Sequence, residues 1–498
     1  MNRTRRFISG VASGYVSILC NIAYTAASIP LALHYLSKEE FGLWALAQQI
    51  AGYLLMLDLG VSFSLNRLIA DQKEAVESTA YQDLLKNGAL TFASLGLIML
   101  ALGGGFALLA PSLFSIDGSL GEHFSNTLLI LAAVNSISFS TRILAAPLWA
   151  FQRMDVANLL SSLSLVVNFA ALWLCLKMNF GVYSLALSGA LPCFIIPLLT
   201  YLFCKKNNFY PLYLFGGSFR FCFLKRLFGF SKDIFALSVG SHVLQASQII
   251  ILSRLCSLET AALFAVGTKL YAMITQLIYK IIESSAPGLT EIFISGNFSL
   301  FRSRLEQLVS LTLFSGFAGA LCFFSLNNQF VEIWTRKAFS WPQENDIFLS
   351  FTILFTSFSR WLIGCFGILA DYRAVRHLYI VEAFAFVVTA VFLVPLFQIK
   401  GILFAAAACH AFITIPFSFA SFRKATGLSQ LLRPFAISII LLSFYVFIQS
   451  SDFFNFLGIY EHFSLSCFLF LISLSFGYFY ILPKELVQRL SSKIFPAN

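Results

Sequence analysis

Apolar stretches of about 20 residues recur along the whole chain, at 7–33, 41–65, 84–111, 126–150, 158–177, 180–204, 231–253, 262–286, 305–330, 346–370, 377–397, 400–422, 433–450 and 463–482. A run of about that length crosses the hydrocarbon core of a bilayer as a helix. Helices also satisfy every backbone N–H and C=O within the segment, which a bilayer interior demands. The pattern predicts an all-α polytopic membrane protein with about fourteen transmembrane helices, arranged six, six and two. Composition agrees: 58% of the 498 residues are hydrophobic and 11% charged, against roughly 25% charged in soluble domains. Little chain is left for a soluble domain, which excludes most soluble enzymes.

The net charge of +10 matters less than its placement, because the positive-inside bias counts Lys and Arg in short loops. With the N-terminus inside, the cytoplasmic loops and tails collect Arg3, Arg5, Arg6, Arg67, Arg153 and most other basic residues. The outside loops hold Lys38, Lys177, Arg254, Arg336, Lys337 and Lys400. Both termini are therefore expected in the cytoplasm. The first apolar run follows basic residues but closes on no clean cleavage site, so it reads as a retained span. The 10 cysteines lie mostly inside apolar runs with no C-x-x-C pair, and read as small buried hydrophobes.

Sliding the chain by 220 residues superposes the two sets of six runs. Ser37, Glu39, Leu43 and Ala45 meet Ser257, Glu259, Leu263 and Ala265. The same offset pairs Leu85 with Leu305, Phe114 with Trp334, Arg153 with Arg373, Gly181 with Gly401 and Ala186 with Ala406. An even number of crossings per copy gives both the same orientation, a parallel repeat about an axis along the membrane normal. The expected organisation is an N-lobe at 1–204, a cytoplasmic connection at 205–230, a C-lobe at 231–424, and two further helices with a tail at 425–498. Two such lobes imply a central cleft.

Polar side chains inside crossings are expensive unless they face protein or water, so polar stripes at helical spacing mark that cleft. Ser13, Ser17, Asn21, Thr25 and Ser28 form one in the first run, and Ser238, Ser241, Gln245 and Gln248 form its repeat in the seventh. Packing of small hydroxyls between helices is the alternative. In the eighth run Lys269, Met273, Gln276, Lys280 and Glu283 fall within an arc of about 80°. The repeat-equivalent face carries Gln49, Tyr53, Met56, Gly60 and Phe63, so the cations gather on the second lobe. Lys269 can instead snorkel outward, and Lys280 can pair with Glu283. Arg142 and Arg360 are further candidates for positive potential, each with an interfacial role as the alternative. Asp58 is a lone carboxylate in the second run, read as an ion-coupling group or as a fixed hydrogen-bond partner. Glu283 is a second coupling candidate. Glu382, near the inner end of a run, is expected to snorkel, and Glu344-Asn345-Asp346 to be solvated loop charge.

The Gly10/Gly14 pair and the Gly103–Gly105 triplet read as close helix packing. No phosphate-binding loop, nucleophile elbow or H-E-x-x-H motif occurs. No cofactor, metal or catalytic residue is expected, the chain is not read as an enzyme, and no nucleic-acid partner is implied.

The basic N-terminus, Pro30-Leu31 closing the first run, EFGLWAL at Glu40–Leu46 and LDLG at Leu57–Gly60 followed by Arg67 together resemble the polysaccharide (Wzx-type O-antigen) flippases of the multidrug/oligosaccharidyl-lipid/polysaccharide (MOP) exporter superfamily. The resemblance covers both six-span lobes. It implies two lobes forming a V, with spans 1, 2, 7 and 8 lining the cavity. It also implies movement of undecaprenyl-diphosphate-linked oligosaccharide to the outer leaflet of the bacterial cytoplasmic (inner) membrane, for surface polysaccharide assembly. A coupling ion (H+ or Na+), membrane lipids and polysaccharide polymerase machinery are the partners so implied. On this reading Lys269, Lys280, Arg142 and Arg360 face the diphosphate, while Asn21, Gln49, Gln245, Gln248 and Gln276 hydrogen-bond sugars. A multidrug or cation antiporter of the same fold and a peptidoglycan-precursor flippase are the alternatives. For the topology, a reporter active only in the cytoplasm and fused after Asn498 should be active, while one inserted beside Lys337 should be silent; the reverse result overturns the orientation.

Overall fold

The computed structural model describes residues 3–214, 216–219, 239–240, 242–244, 246–368, 372–426, 431–450 and 459–483. Among them no β-strand occurs. Nine helices are long and apolar enough to cross a membrane, ten if the bent pair Gly118–Ser140 and Arg142–Ala150 is one span. The chain divides into two units, Met1–Ala265 and Val266–Asn498.

In the first unit α1 (Arg3–Tyr35) packs along α7 (Met154–Lys177), and α4 (Thr79–Phe114) along α5 (Gly118–Ser140), which also receives α2 (Lys38–Leu54). Helix starts are fixed by side chains. The Ser37 hydroxyl accepts from the Glu40 N–H at 3.1 Å while the Glu40 carboxylate accepts from the Ser37 N–H at 2.8 Å, a reciprocal cap on α2. Between α4 and α5 the backbones come close. The Ser136 hydroxyl donates to the Gly96 carbonyl at 2.7 Å, and a Cβ on Gly96 would meet Ser140 Oγ at 2.2 Å. Without a hydrophobic drive between helices in lipid, such contacts carry association. Of the glycine triplet, Gly103 lies against Ala132, whereas a Cβ on Gly105 meets nothing within 4 Å.

Several runs expected as single crossings are broken, the eighth between the helices Leu258–Gly267 and Lys269–Ile294 among them. The second ends α2 at Leu54, makes a 3-10 turn Leu55–Asp58, and passes through left-handed Leu59 (φ 49°) and Gly60 (φ 77°) before α3 (Val61–Asp71). The fourth bends by 43° after α5, where a 3-10 turn Arg142–Ala145 leads into α6 (Ala146–Ala150) with Pro147 in its first turn. The sixth is split into α8 (Tyr183–Leu187) and α9 (Ala190–Lys206). Hydropathy registers the apolar length but not the left-handed pair or the proline that interrupts the helix.

Beyond α9 the chain lies on the start of α4. The Tyr81 hydroxyl donates to the Phe209 carbonyl at 2.9 Å, Glu77 accepts from the Leu212 N–H at 3.1 Å, and Asp83 accepts from the Ser218 N–H at 2.5 Å. Tyr210 donates to the Leu144 carbonyl at 2.6 Å, pinning the bend after α5; burial pushes its hydroxyl well above the ordinary phenol range. A helical segment at 246–255, α10, then leads into α11 (Leu258–Gly267), whose first residue meets α2: a Cβ on Gly42 would lie 2.0 Å from the Leu258 carbonyl oxygen.

The second unit is built on α12 (Lys269–Ile294), α13 (Phe298–Trp334) and α14 (Glu344–Ile368), packed on one another. Next comes α15 (Tyr372–Cys409), kinked at Gln398 (φ 49°), where the runs 377–397 and 400–422 meet. A π-helical turn His410–Thr414 joins it to α16 (Ile415–Thr426). The last two helices, α17 (Leu432–Gln449) and α18 (Ile459–Ile481), pair and lie against α13, where the Ser325 and Tyr445 hydroxyls hydrogen-bond. Helix ends keep the 220-residue offset: Phe114 closes α4 and Trp334 closes α13, while Lys206 closes α9 and Thr426 closes α16.

Fully buried Trp341 closes one corner of this unit. Its Nε1 donates to Asp346 Oδ1 at 2.7 Å, and Asn327 donates to the same oxygen at 2.7 Å and to the Gly267 carbonyl at 3.1 Å. A Cβ on Gly267 would lie 2.0 Å from the indole. Gly267→Ala should therefore destabilise the protein by about 1–3 kcal/mol through overpacking. Gly105→Ala should be neutral or gain about 0.5–1 kcal/mol. Thermal unfolding of both in detergent checks this, and equal midpoints would contradict the packing account.

Candidate functional site

Several polar groups of the first unit have partners inside it. On α1, Ser13 accepts from Asn158 Nδ2 at 3.0 Å, and the Tyr24 hydroxyl donates to Asn168 Oδ1 at 2.8 Å, so part of the expected stripe ties α1 to α7. Asn21 and Gln49 are half-buried. Gln245 lies outside the described residues, as do Ser238 and Ser241; Gln248 donates to the Leu244 carbonyl of its own helix at 3.1 Å. His242 packs edge-on against Tyr53 of α2, with ring centres 5.6 Å apart.

The structure joins two residues that sequence reasoning kept apart. Asp58 ends the 3-10 turn that breaks the second run, and Arg142 begins the one that bends the fourth. Asp58 Oδ1 accepts from the Ser62 N–H at 3.2 Å and its hydroxyl at 2.7 Å, capping α3, and lies 3.8 Å from Arg142 Nη1. The guanidinium also covers the Phe139 ring at 4.6 Å. One carboxylate thus holds two broken helices. At the 220 offset the pair becomes Ile278 and Leu362, both buried on unbroken helices.

In the second unit the face of α12 is populated as the spacing implies. Lys269 is half-buried at the first helical position, Gln276 is exposed, and Lys280 Nζ lies 3.3 Å from Glu283 Oε2. The Asn327–Gly267 bond and the packed Trp341 fix the backbone just before Lys269. Arg360 of α14 lies over the Tyr279 ring at 4.6 Å, within the field of Tyr379 of α15 and of Glu283.

Two carboxylates differ from their sequence expectation. Asp346 is fully buried, and Asn345 nearly so, because Trp341 and Asn327 both donate to Asp346; only Glu344 keeps the expected exposure, and it pairs with Lys400. Glu382 does not snorkel. It is fully buried, with His410 Nδ1 2.8 Å from Oε1 and the Thr414 hydroxyl donating to the same oxygen. The apolar run from 377 put Glu382 only about 7.5 Å in, at 1.5 Å per residue, whereas the helix begins at Tyr372 and places it ten residues deep.

Comparison with known proteins places this geometry in a family. Residues 14–293 match the family model described as "Polysaccharide biosynthesis protein". No curated protein sequence matches the chain. Among solved structures, an inward-facing multidrug resistance MATE family transporter of the MOP superfamily aligns with TM-score 0.68 and 14% identity, over 81% of this chain and 94% of its own. The lipid II flippase MurJ in an inward closed conformation aligns with TM-score 0.62 and 12% identity, over 98% of this chain and 100% of its own. A MOP superfamily transporter from Pyrococcus furiosus aligns with TM-score 0.59 and 13% identity, over 84% and 95%. At these identities the likeness is one of fold.

Asp58 supplies both a helix cap and an ion-pair partner, whereas Arg142 supplies only the pair. Asp58→Ala should cost about 0.5–2 kcal/mol for the cap, and Arg142→Ala less, since a partly exposed pair is worth about 0–1 kcal/mol. Thermal unfolding of the two variants tests the ranking, and a larger loss for Arg142→Ala would reverse the assignment of roles.

Proposed function

The chain belongs to the polysaccharide biosynthesis protein family, and on that premise we propose that it moves undecaprenyl-diphosphate-linked oligosaccharide from the inner to the outer leaflet of the bacterial cytoplasmic membrane. It is a multi-pass membrane protein with a MOP-superfamily transporter fold. The observation that carries the substrate class is the family match over residues 14–293; the cationic face of α12 agrees with it.

A diphosphate brings a dense negative charge that a low-dielectric cavity rejects unless cations meet it. In this reading Lys269 is the principal phosphate contact. It is half-buried, and it stands at a helix start, where the backbone dipole adds positive potential. Lys280 is already offset by Glu283 and Arg142 by Asp58, so each contributes less. Asn21, Gln49, Gln245, Gln248 and Gln276 offer amides to sugar hydroxyls, and the polyprenyl tail remains in lipid. Alternating access carries the head group across, with both termini in the cytoplasm.

The test is leaflet-resolved labelling of lipid-linked oligosaccharide in vesicles with the wild type, without protein, and with Lys269→Ala or Lys269→Arg. Wild type should move the sugar outward. Lys269→Ala should slow it about tenfold to a hundredfold, the worth of a hydrogen bond to a charged group, and Lys269→Arg should recover much of the rate. Crossing that proceeds equally without the protein would refute the substrate class.

A further inference from the structure

We propose that Glu382, His410 and Thr414 form a proton-binding site inside the second unit. The proposal rests on the transporter reading above for its role, but the site stands on its own geometry. Glu382 is fully buried, and its Oε2 has no hydrogen-bond partner. Its Oε1 accepts from the Thr414 hydroxyl and lies 2.8 Å from His410 Nδ1, which is itself without an aligned hydrogen bond. A buried carboxylate left ionised and alone is costly, so the site favours charge balance. Two arrangements achieve it: a carboxylic acid beside a neutral imidazole, or a carboxylate beside an imidazolium. Both hold one exchangeable proton between the same two side chains. Losing it leaves a buried negative charge, and gaining a second leaves a buried positive one.

The surroundings connect this proton to the rest of the unit. On α15, Tyr379 and Cys409 lie within the field of Glu382. From α14 comes Arg360, which lies over the Tyr279 ring of α12 and within the field of Tyr379 and Glu283. On α16 the charged residues are Arg423 and Lys424 in its last turn, nine residues or more from Thr414 and so about 13 Å along the axis. His410 to Thr414 is a π-helical turn, an irregularity that loosens one helix wall beside the pair. At the 220 offset Glu382, His410 and Arg360 correspond to Ser162, Ala190 and Ser140, so the first unit has no equivalent.

Infrared difference spectra of the full-length protein in liposomes, taken across a pH series, test the site without any transported substrate. Wild type should show a pH-dependent carboxyl or imidazole band that both E382Q and H410Q abolish or alter. A wild-type spectrum without such a titrating band overturns the proposal even if E382Q fails to fold, as does a band that responds to sodium at fixed pH instead. In the leaflet assay, an imposed pH gradient should change wild-type flipping, and E382Q should bring the ratio with and without gradient to about one. An unchanged ratio in E382Q overturns the coupling role. If wild type moves no lipid-linked oligosaccharide while the band titrates as described, the flippase reading fails and the proton site stands.

Discussion

An unsatisfied polar group in hydrocarbon is costly enough to decide most of this architecture. It makes the described crossings helical, and it requires each break in a helix to be stitched by a nearby polar group. Asp58 stitches the break after α2, accepting twice from Ser62 and facing Arg142 across the bend after α5. The Asp346–Trp341–Asn327 cluster does the same for the corner before α14. Irregular backbone survives in a membrane protein where such partners exist, and these breaks fall beside the groups that supply them.

The two repeats share some helix ends but neither their breaks nor their polar chemistry. Where the first unit has Asp58 and Arg142 on interrupted helices, the second has Ile278 and Leu362 on continuous ones. Where the second has Glu382, His410 and Arg360, the first has Ser162, Ala190 and Ser140. An ion pair at paired breaks fixes geometry and is partly exposed, so its charges stay balanced whichever way the helices flex. A fully buried carboxylate with one vacant oxygen does the opposite, because its energy changes steeply with a single proton. On physical grounds the first unit is suited to holding shape and the second to responding.

What the sequence reveals and hides follows the range of each interaction. Helix class, the repeat offset and the α12 face depend on spacing along the chain, and all were legible there. The pairing of Asp58 with Arg142 joins residues of two different crossings that no periodicity relates, so each was read alone. Glu382 and His410 likewise meet only because α15 turns at Gln398 and brings α16 back alongside. The apolar run boundary at 377 placed Glu382 near an end, and neither the earlier helix start at Tyr372 nor the partner that makes burial tolerable was visible. The α1 stripe shows the converse: its period was visible, yet Ser13 and Tyr24 spend their hydrogen bonds on Asn158 and Asn168 of the neighbouring helix.

That division bears on how a transporter of this design can be driven. Under the proposed function, a phosphate-bearing head group would meet Lys269 and Arg360, whose surroundings differ. The backbone before Lys269 is held by the corner at Gly267, while Arg360 lies over Tyr279 and within the field of Glu283 and Tyr379. A ligand shifts an equilibrium only through its differential affinity for two states. If the proposed function and the proposed proton site both hold, substrate and proton act on the same unit, and a contest over charge there would link the direction of a proton to the direction of an anion.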